Sequence, residues 1–241
     1  MAIVACLNGD RRPGAHPALP VFADQVAEDA RAAVAAGADE IHVHPRDRTG
    51  AEALEPRVLT DLLDRVRAAV PGVPISVTTA LTAEPDPWRR YDLVQRWGGV
   101  PDAATVNLHE PGSVEVIRLL AARRVRVEAG LWTADAARIL VASGLAGAVD
   151  RVLLEPTQTA VGAALDNAEA IRAVLRRAGI TAPRLLHGHD DTAWPVLDAA
   201  LAAGEDARIG LEDTLRLPDG SEAEDNADLV AAAVARAAAV G

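Results

Sequence analysis

The chain has 241 residues, half of them apolar, few aromatics and a net charge of −11. That length can bury an aliphatic core as one large barrel or two modest domains, and the acidity argues against a nucleic-acid groove or an anionic membrane surface as the main partner. All 24 basic residues are Arg, so Schiff-base lysine chemistry, pyridoxal phosphate and a Walker-type phosphate loop are excluded.

Strand and helix patterns alternate along the chain. Ile3–Leu7 predicts a short buried strand, and a helix follows over about 22–36, with Val26, Ala30, Ala33 and Val34 on one face before Gly37. Glu40–His44 is strand two, and Val58–Val70 is helix two, ended by Pro71. Pro74–Thr79 is strand three and about 88–97 helix three; Ala103–Leu108 is strand four, and Ser113 is expected to cap helix four through Ala121. Val125–Leu131 is strand five, with Thr133 opening helix five to about Ser143. Arg151–Glu155 is strand six, followed by a helix over about 164–178. Arg184–His187 is strand seven and Thr192–Ala203 its helix; Ala207–Leu211 is strand eight and Asn226–Val240 the last helix.

Eight such units predict an α/β fold, a single (β/α)8 TIM barrel over residues 1–241, a type for which about 250 residues is typical. No Pro-rich or Ser-rich linker divides the chain. An open doubly wound sheet would ordinarily show a Gly-rich phosphate turn after an early strand, and Leu7-Asn8-Gly9-Asp10-Arg11 matches that poorly. Cys6 stands alone, so no internal disulfide can form, which fits a reducing cytoplasm. No apolar run is long and charge-free enough to span a bilayer.

Active sites of such barrels lie at the carboxyl ends of the strands. The side chains there include Arg11 after strand one, His42 and His44 on strand two, Thr78 and Thr79 on three, Asn107 on four, Glu128 on five, Glu155 on six, His187 and His189 on seven, and Arg208, Glu212 and Asp213 on eight. In Ile41-His42-Val43-His44-Pro45-Arg46-Asp47 the alternation of an extended chain aims both imidazoles one way, as a pair of metal ligands would be. His-x-His alone is as readily two polar residues flanking a Val. In a closed barrel strand eight is separated from strand two only by strand one. With strands about 4.8 Å apart, the gap of roughly 10 Å is one that inward His and Glu side chains can close. Glu212 can therefore join His42 and His44 on one metal, a two-His, one-carboxylate set with open positions. Arg208, four residues earlier on the same strand face, suits a carboxylate partner. Asp213 is then the candidate general base.

These residues resemble the β-keto acid cleavage enzymes, typified by 3-keto-5-aminohexanoate cleavage enzyme. The likeness rests on Ile41-His-Val-His-Pro-Arg-Asp, Arg208-Ile-Gly-Leu-Glu-Asp213 and Asn226-Ala-Asp-Leu-Val, with Leu7-Asn-Gly, Val77-Thr-Thr and Pro101-Asp in family order. It implies a zinc-dependent (β/α)8 barrel, a homotetramer or other homo-oligomer, that converts a β-keto acid and acetyl-CoA into acetoacetate and a new acyl-CoA. Residue by residue, it implies His42, His44 and Glu212 as zinc ligands and Arg208 and Asp213 as the catalytic pair. Asp213 would take the substrate's α-proton, Arg208 would orient the substrate and balance charge, and Thr78 and Asn107 would meet it. Arg11 stands where some members carry Glu, which favours an acidic or neutral substrate over an amine. Thr79, Glu128 and His187 complete the expected substrate contacts. The same ligands would take manganese, cobalt or iron, and because His binds metal when neutral, activity is expected to fall on acidification.

Two features qualify the resemblance. The chain is compact beside typical members, which implies shortened CoA-contacting loops. His187-Gly188-His189-Asp190 also sets two imidazoles two residues apart at a strand end, as a rival metal site or a turn leading to a helix cap. The alternatives are another metal-dependent carbon–carbon lyase or hydrolase that acts on a keto acid without CoA, and a non-catalytic ligand-binding barrel.

Overall fold

The structure, a computed structural model, describes residues 1–240. Its strands are β1 (Ile3–Cys6), β2 (Glu40–Val43), β3 (Ile75–Thr78), β4 (Ala103–Asn107), β5 (Arg126–Leu131), β6 (Arg151–Leu154), β7 (Arg184–Leu186) and β8 (Asp206–Ile209). They alternate with helices α1 (Ala23–Ala35), α2 (Pro56–Ala69), α3 (Pro87–Gln95), α4 (Ser113–Ala122), α5 (Ala134–Ser143), α6 (Val161–Arg177), α7 (Ala193–Ala202) and α8 (Asn226–Val240). All strand pairs are parallel and the sheet closes β8 onto β1, giving the expected TIM barrel. No described helix is long and apolar enough to cross a membrane.

Local chemistry places most boundaries. Pro56 and Pro87 open their helices, where the missing N–H is no loss. Asp86 adds a cap, accepting from the N–H groups of Trp88 and Arg89 at 2.9 and 3.0 Å. Helix two therefore starts two residues before Val58. Helix four is not capped by Ser113: Gly112 holds that position, and the Ser113 hydroxyl donates to the carbonyl of Leu108. Helix six begins at Val161 rather than near 164, because Val161 and Gly162, poor helix formers, hide its first turn from a sequence reading. Strand eight stops at Ile209, short of Leu211. There the N–H groups of Asp213 and Thr214 both turn back onto the Gly210 carbonyl, at 2.8 and 3.0 Å. Glu212 and Asp213 thus sit on a turn, not on the strand.

The strand faces divide the core. Ile41, Val43, Ile75, Val77, Val106, Val127 and Ile209 point outward into a continuous aliphatic layer with Leu59, Leu63, Ile117, Leu140 and Leu197 of the helices. Inside the barrel the apolar filling is small: Val4, Cys6, Leu153 and Leu185. The amino end of the barrel interior is charged instead. Arg151 donates to Glu128 and to Glu40 (3.1 and 2.9 Å) and lies 3.4 Å from Asp206, while the Ser76 hydroxyl donates to Glu128. Glu128, expected among the substrate contacts, is bound up in this barrel-lining network and is 4% exposed.

Removing one partner of a buried ion pair strands the other in a low-dielectric interior. Arg151→Met is accordingly expected to lower unfolding stability in urea by about 3–5 kcal/mol; a loss indistinguishable from that of a surface substitution would contradict this account of the interior.

Candidate metal centre and active-site pocket

At the carboxyl end of the strands lies a cavity of about 540 Å³, within the range of small-molecule sites. His42 and His44, two residues apart across the end of β2, both point into it. Their rings meet edge to face with centroids 5.3 Å apart. Glu212 arrives from the turn after β8, so that His42 Nε2 lies 3.9 Å from its Oε2 and His44 Nε2 3.8 Å from its Oε1. Donor atoms of the three residues all fall within 4.8 Å of one another.

The remaining atoms of these side chains are accounted for in a way that suits a cation. His44 Nδ1 faces Glu52 at 2.5 Å and His42 Nδ1 faces the Ser76 hydroxyl at 3.3 Å. Both rings therefore keep Nε2 for the pocket, the outer-shell arrangement that orients metal-bound imidazoles. Glu212 Oε2 is buried and has no hydrogen-bond partner among the described residues. An orphaned carboxylate oxygen facing two oriented imidazoles fits a divalent metal and fits little else.

The electrostatics separate the two imidazoles. Burial pushes His42 down to about 4, so it stays neutral through the ordinary pH range. Burial pulls His44 down as well, but Glu212 and Glu52 outweigh it and leave its value raised. Arg208 stands between the acidic pair, donating to Glu212 Oε1 at 2.5 Å and to Asp213 Oδ1 at 2.7 Å through Nη2 and 3.2 Å through Nε. Burial would raise the Asp213 carboxyl, yet the Arg208 guanidinium and the imidazoles of His187 and His189 hold it well below the usual carboxylate range.

The expected site residues divide by position. Thr78, Asn107, Arg11, Arg208 and the three candidate ligands line the cavity. Thr78 Oγ1 accepts from the Ala80 N–H, and Asn107 Nδ2 donates to Glu110 at 3.1 Å. Thr79, Glu128, His187 and Asp213 do not line it. Thr79 is buried and donates to the Thr105 carbonyl at 2.7 Å, and His187 and Asp213 lie beneath the floor at 0% exposure. Arg11 is a clasp as much as a rim charge: it donates to the carbonyls of Leu211 and Glu212 and pairs with Asp190 at 2.6 Å, so its charge is already matched.

Several supports were not singled out by the sequence. Glu52 lies in the loop before α2, far from any strand end, and only an antiparallel bridge between Arg46 and Glu52 returns it to His44. Asn8, in the loop after β1, accepts from the His44 N–H and donates to its carbonyl, at 2.9 and 3.1 Å. Asn226 does the same work at the other end, accepting from Leu211 N–H and donating to the Leu7 carbonyl, at 2.7 and 2.9 Å. Gly9, with φ +54°, passes beneath Glu212; a Cβ there would meet Glu212 Cγ at 2.3 Å.

Comparison with known proteins adds a family and a fold. The family model described as beta-keto acid cleavage enzyme matches residues 1–241. Among solved structures, the binary complex of ObcA with oxaloacetate superposes with a TM-score of 0.70 at 14% identity, over 89% of this chain and 62% of that one. The ternary complex of ObcA with C4-CoA adduct and oxalate gives 0.71 at 14%, with the same coverage. The 3-dehydroquinate dehydratase of Geobacillus kaustophilus HTA426 gives 0.63 at 12%, over 86% of this chain and 81% of that one. At these identities the structural likeness shows the barrel fold, and the chain spans 62% of the length of the ObcA complexes it matches. No curated protein matched.

Glu52 provides a test of the centre. Glu52→Gln is expected to weaken zinc binding about 10–100-fold, the usual effect of losing an outer-shell carboxylate, measured by competition with a chromophoric chelator. Because His44 binds a proton more readily than His42 does, the wild type should hold metal at neutral pH and release it as pH falls through the raised His44 range, before His42 begins to protonate near 4. Unchanged affinity in the Glu52 variant would contradict the assignment.

Proposed function

The chain belongs to the beta-keto acid cleavage enzyme family, and we propose that it binds a β-keto acid at the mouth of the barrel and cleaves it with acetyl-CoA to acetoacetate and a new acyl-CoA. The observation that carries this reading is the meeting of the His42 and His44 Nε2 atoms with the Glu212 carboxylate, beside Arg208, in the cavity wall. The binding of oxaloacetate, itself a β-keto acid, and of a CoA adduct by ObcA supports it by analogy of fold.

His42, His44 and Glu212 would hold zinc, and zinc there supplies a Lewis acid for the substrate's keto oxygen, worth several kcal/mol of charge stabilisation. The chain's own groups do the rest. Arg208, bonded to Asp213 in the resting site, is the natural receptor for the substrate carboxylate. Turning toward that carboxylate releases Asp213 Oδ1. The acid-strengthening partner is then removed, and Asp213 gains the basicity to take the α-proton. The carbanion attacks the acetyl thioester and expels CoA thiolate; the thiolate adds to the original acyl carbon, the bond between that carbon and the α-carbon breaks to release the new acyl-CoA, and the α-carbon takes back the proton held by Asp213 to give acetoacetate. Thr78 and Asn107 line the path of the substrate. Since Arg11 is already matched by Asp190, the pocket favours a neutral side chain on the keto acid. A homo-oligomer, as in the family, belongs to the same reading.

One observation favours a second reading, cleavage by water without CoA. Beside the Arg11–Asp190 pair, Asp10 and Asp191 leave the cavity mouth acidic, unfavourable for the phosphates of CoA. Product analysis separates the two. The first reading expects acetoacetate from neutral β-keto acids only when acetyl-CoA is present, with Asp213→Asn slower by about 10²–10⁴-fold. Carboxylic acid products formed equally without acetyl-CoA would replace it with the second, and turnover unaffected by Asp213→Asn would overturn the assignment of the base.

A further inference from the structure

A second cluster, which reaches the cavity wall through Glu155 and His189 and continues behind it in His187 and Asp213, is not used in full by the proposed reaction. It is built from β6, β7 and the turn after β8. His187 and His189 repeat the geometry of the first pair: two residues apart at a strand end, rings edge to face, centroids 5.1 Å apart against 5.3 Å. The Nδ1 atoms of both face Asp213, at 3.5 Å for His187 and 4.0 Å for His189. Donor atoms of His187, His189 and Asp213 lie within 4.8 Å of one another, as in the first set.

The partners on the far side complete the likeness. The Nε2 atoms of His187 and His189 face opposite oxygens of Glu155, at 3.4 and 3.3 Å. Glu155 thereby stands to this pair as Glu52 and Ser76 stand to His44 and His42. His187 is 0% exposed, and neither of its ring nitrogens meets a hydrogen-bond partner of acceptable geometry among the described residues; nor does Asp213 Oδ2. Unpartnered polar atoms at full burial are costly; a cation between the imidazoles and Asp213 would satisfy His187 Nδ1 and Asp213 Oδ2, while His187 Nε2 keeps its place beside Glu155. In tetrahedral zinc coordination at about 2.0 Å, donors stand about 3.3 Å apart, a spacing that His187 Nδ1 nearly meets at 3.5 Å from Asp213 and that His189 Nδ1, at 4.0 Å, reaches by a modest side-chain shift.

The chain is shaped for this cluster. Gly188 lies where a Cβ would come within 2.6 Å of the Thr192 carbonyl, so a larger residue could not link the two His. Asp190, which follows His189, takes a left-handed φ of 46° and donates its N–H to the Asp213 carbonyl at 2.6 Å, tying the β7 loop to the third donor. The oxygen that both imidazoles face, Asp213 Oδ1, is also the one that Arg208 holds, so a cation here takes the unpartnered Oδ2 once the carboxyl rotates toward the imidazoles, and the guanidinium keeps Oδ1.

We propose a second divalent-metal site formed by His187, His189 and Asp213, with Glu155 as its outer carboxylate, distinct from the His42–His44–Glu212 centre. Two imidazoles and a carboxylate suit zinc and its first-row neighbours rather than calcium or magnesium. The consecutive residues Glu212 and Asp213 each serve one centre, with Arg208 between them. A consequence that rests on the proposed function follows: a metal on Asp213 withdraws the base, so filling this site inhibits turnover.

The test is zinc content. Protein stripped by chelator and dialysed against buffered zinc is expected to hold two equivalents per chain. That falls to one in His187→Ala/His189→Ala and to one in His42→Ala/His44→Ala. His189→Gln, at a side chain one-third exposed, is the variant least exposed to misfolding and should also hold one; circular dichroism checks each fold. A single equivalent in the wild type that His187→Ala/His189→Ala retains, or two equivalents unaffected by changes at His187 and His189, overturns the second site; a single equivalent lost in that variant leaves this site standing and overturns the His42–His44–Glu212 centre. Turnover should rise with the first equivalent and fall with the second. Two bound equivalents with full activity would leave the second site standing and overturn the role of Asp213 as base.

Discussion

The site depends on one buried guanidinium. Arg208 is 4% exposed and holds Glu212 and Asp213, neighbours on a single turn, by side-chain hydrogen bonds. Two carboxylates about 4 Å apart repel by about 4 kcal/mol at the effective dielectric of a protein, and Glu155 adds a third to the same floor. Without a fixed cation among them they would take up protons or move apart. With it, they stay ionised in a dry place, where each can hold a metal or accept a proton. Arg208 donates to two carboxylates in fixed directions, which a flexible ammonium would do less selectively.

The barrel turns that local constraint into a site. Closure of β8 onto β1 sets the Glu212 turn beside the end of β1 and within reach of β2. Two buried asparagines then lock the strand ends. Asn8 fixes the backbone at His44, and Asn226, the first residue of the last helix, fixes the backbone just before Glu212. Arg46 draws the β1 loop in from the other side by donating to the carbonyls of Gly9 and Arg11. The bonds of Asn8, of Arg46 and of Asn226 to Leu7 join residues 35 to 219 positions apart in sequence, so the site forms only when the sheet has closed.

How much of this could be read from the sequence varies with distance along the chain. The alternation of strand and helix is a local property carried by periodicity and by Pro and Gly, and it gave the barrel and most element limits. The inward aim of His42 and His44 is local too, set by the two-residue repeat of a strand. Glu212 was reachable because barrel closure is a rule of the fold, although the sequence gives no sign that the strand turns at Gly210. Glu52 was not reachable: its approach to His44 depends on the path of a loop. Glu128 was read toward the mouth because strand position alone does not fix depth, and only the Arg151 pairing shows that it belongs inside the barrel. Arg11 carries the same lesson. Its charge was legible, its neutralisation by Asp190 across 179 residues was not.

The central claim is that His42, His44 and Glu212 grip one metal ion. Anomalous diffraction at the zinc edge from crystals of zinc-loaded protein tests it most directly. The account predicts a peak with both Nε2 atoms and a Glu212 oxygen about 2.0–2.2 Å away, and Nδ1 of each ring still turned to Ser76 or Glu52. Zinc-saturated crystals with no peak there, or with Glu212 beyond bonding distance and still on Arg208, would contradict it.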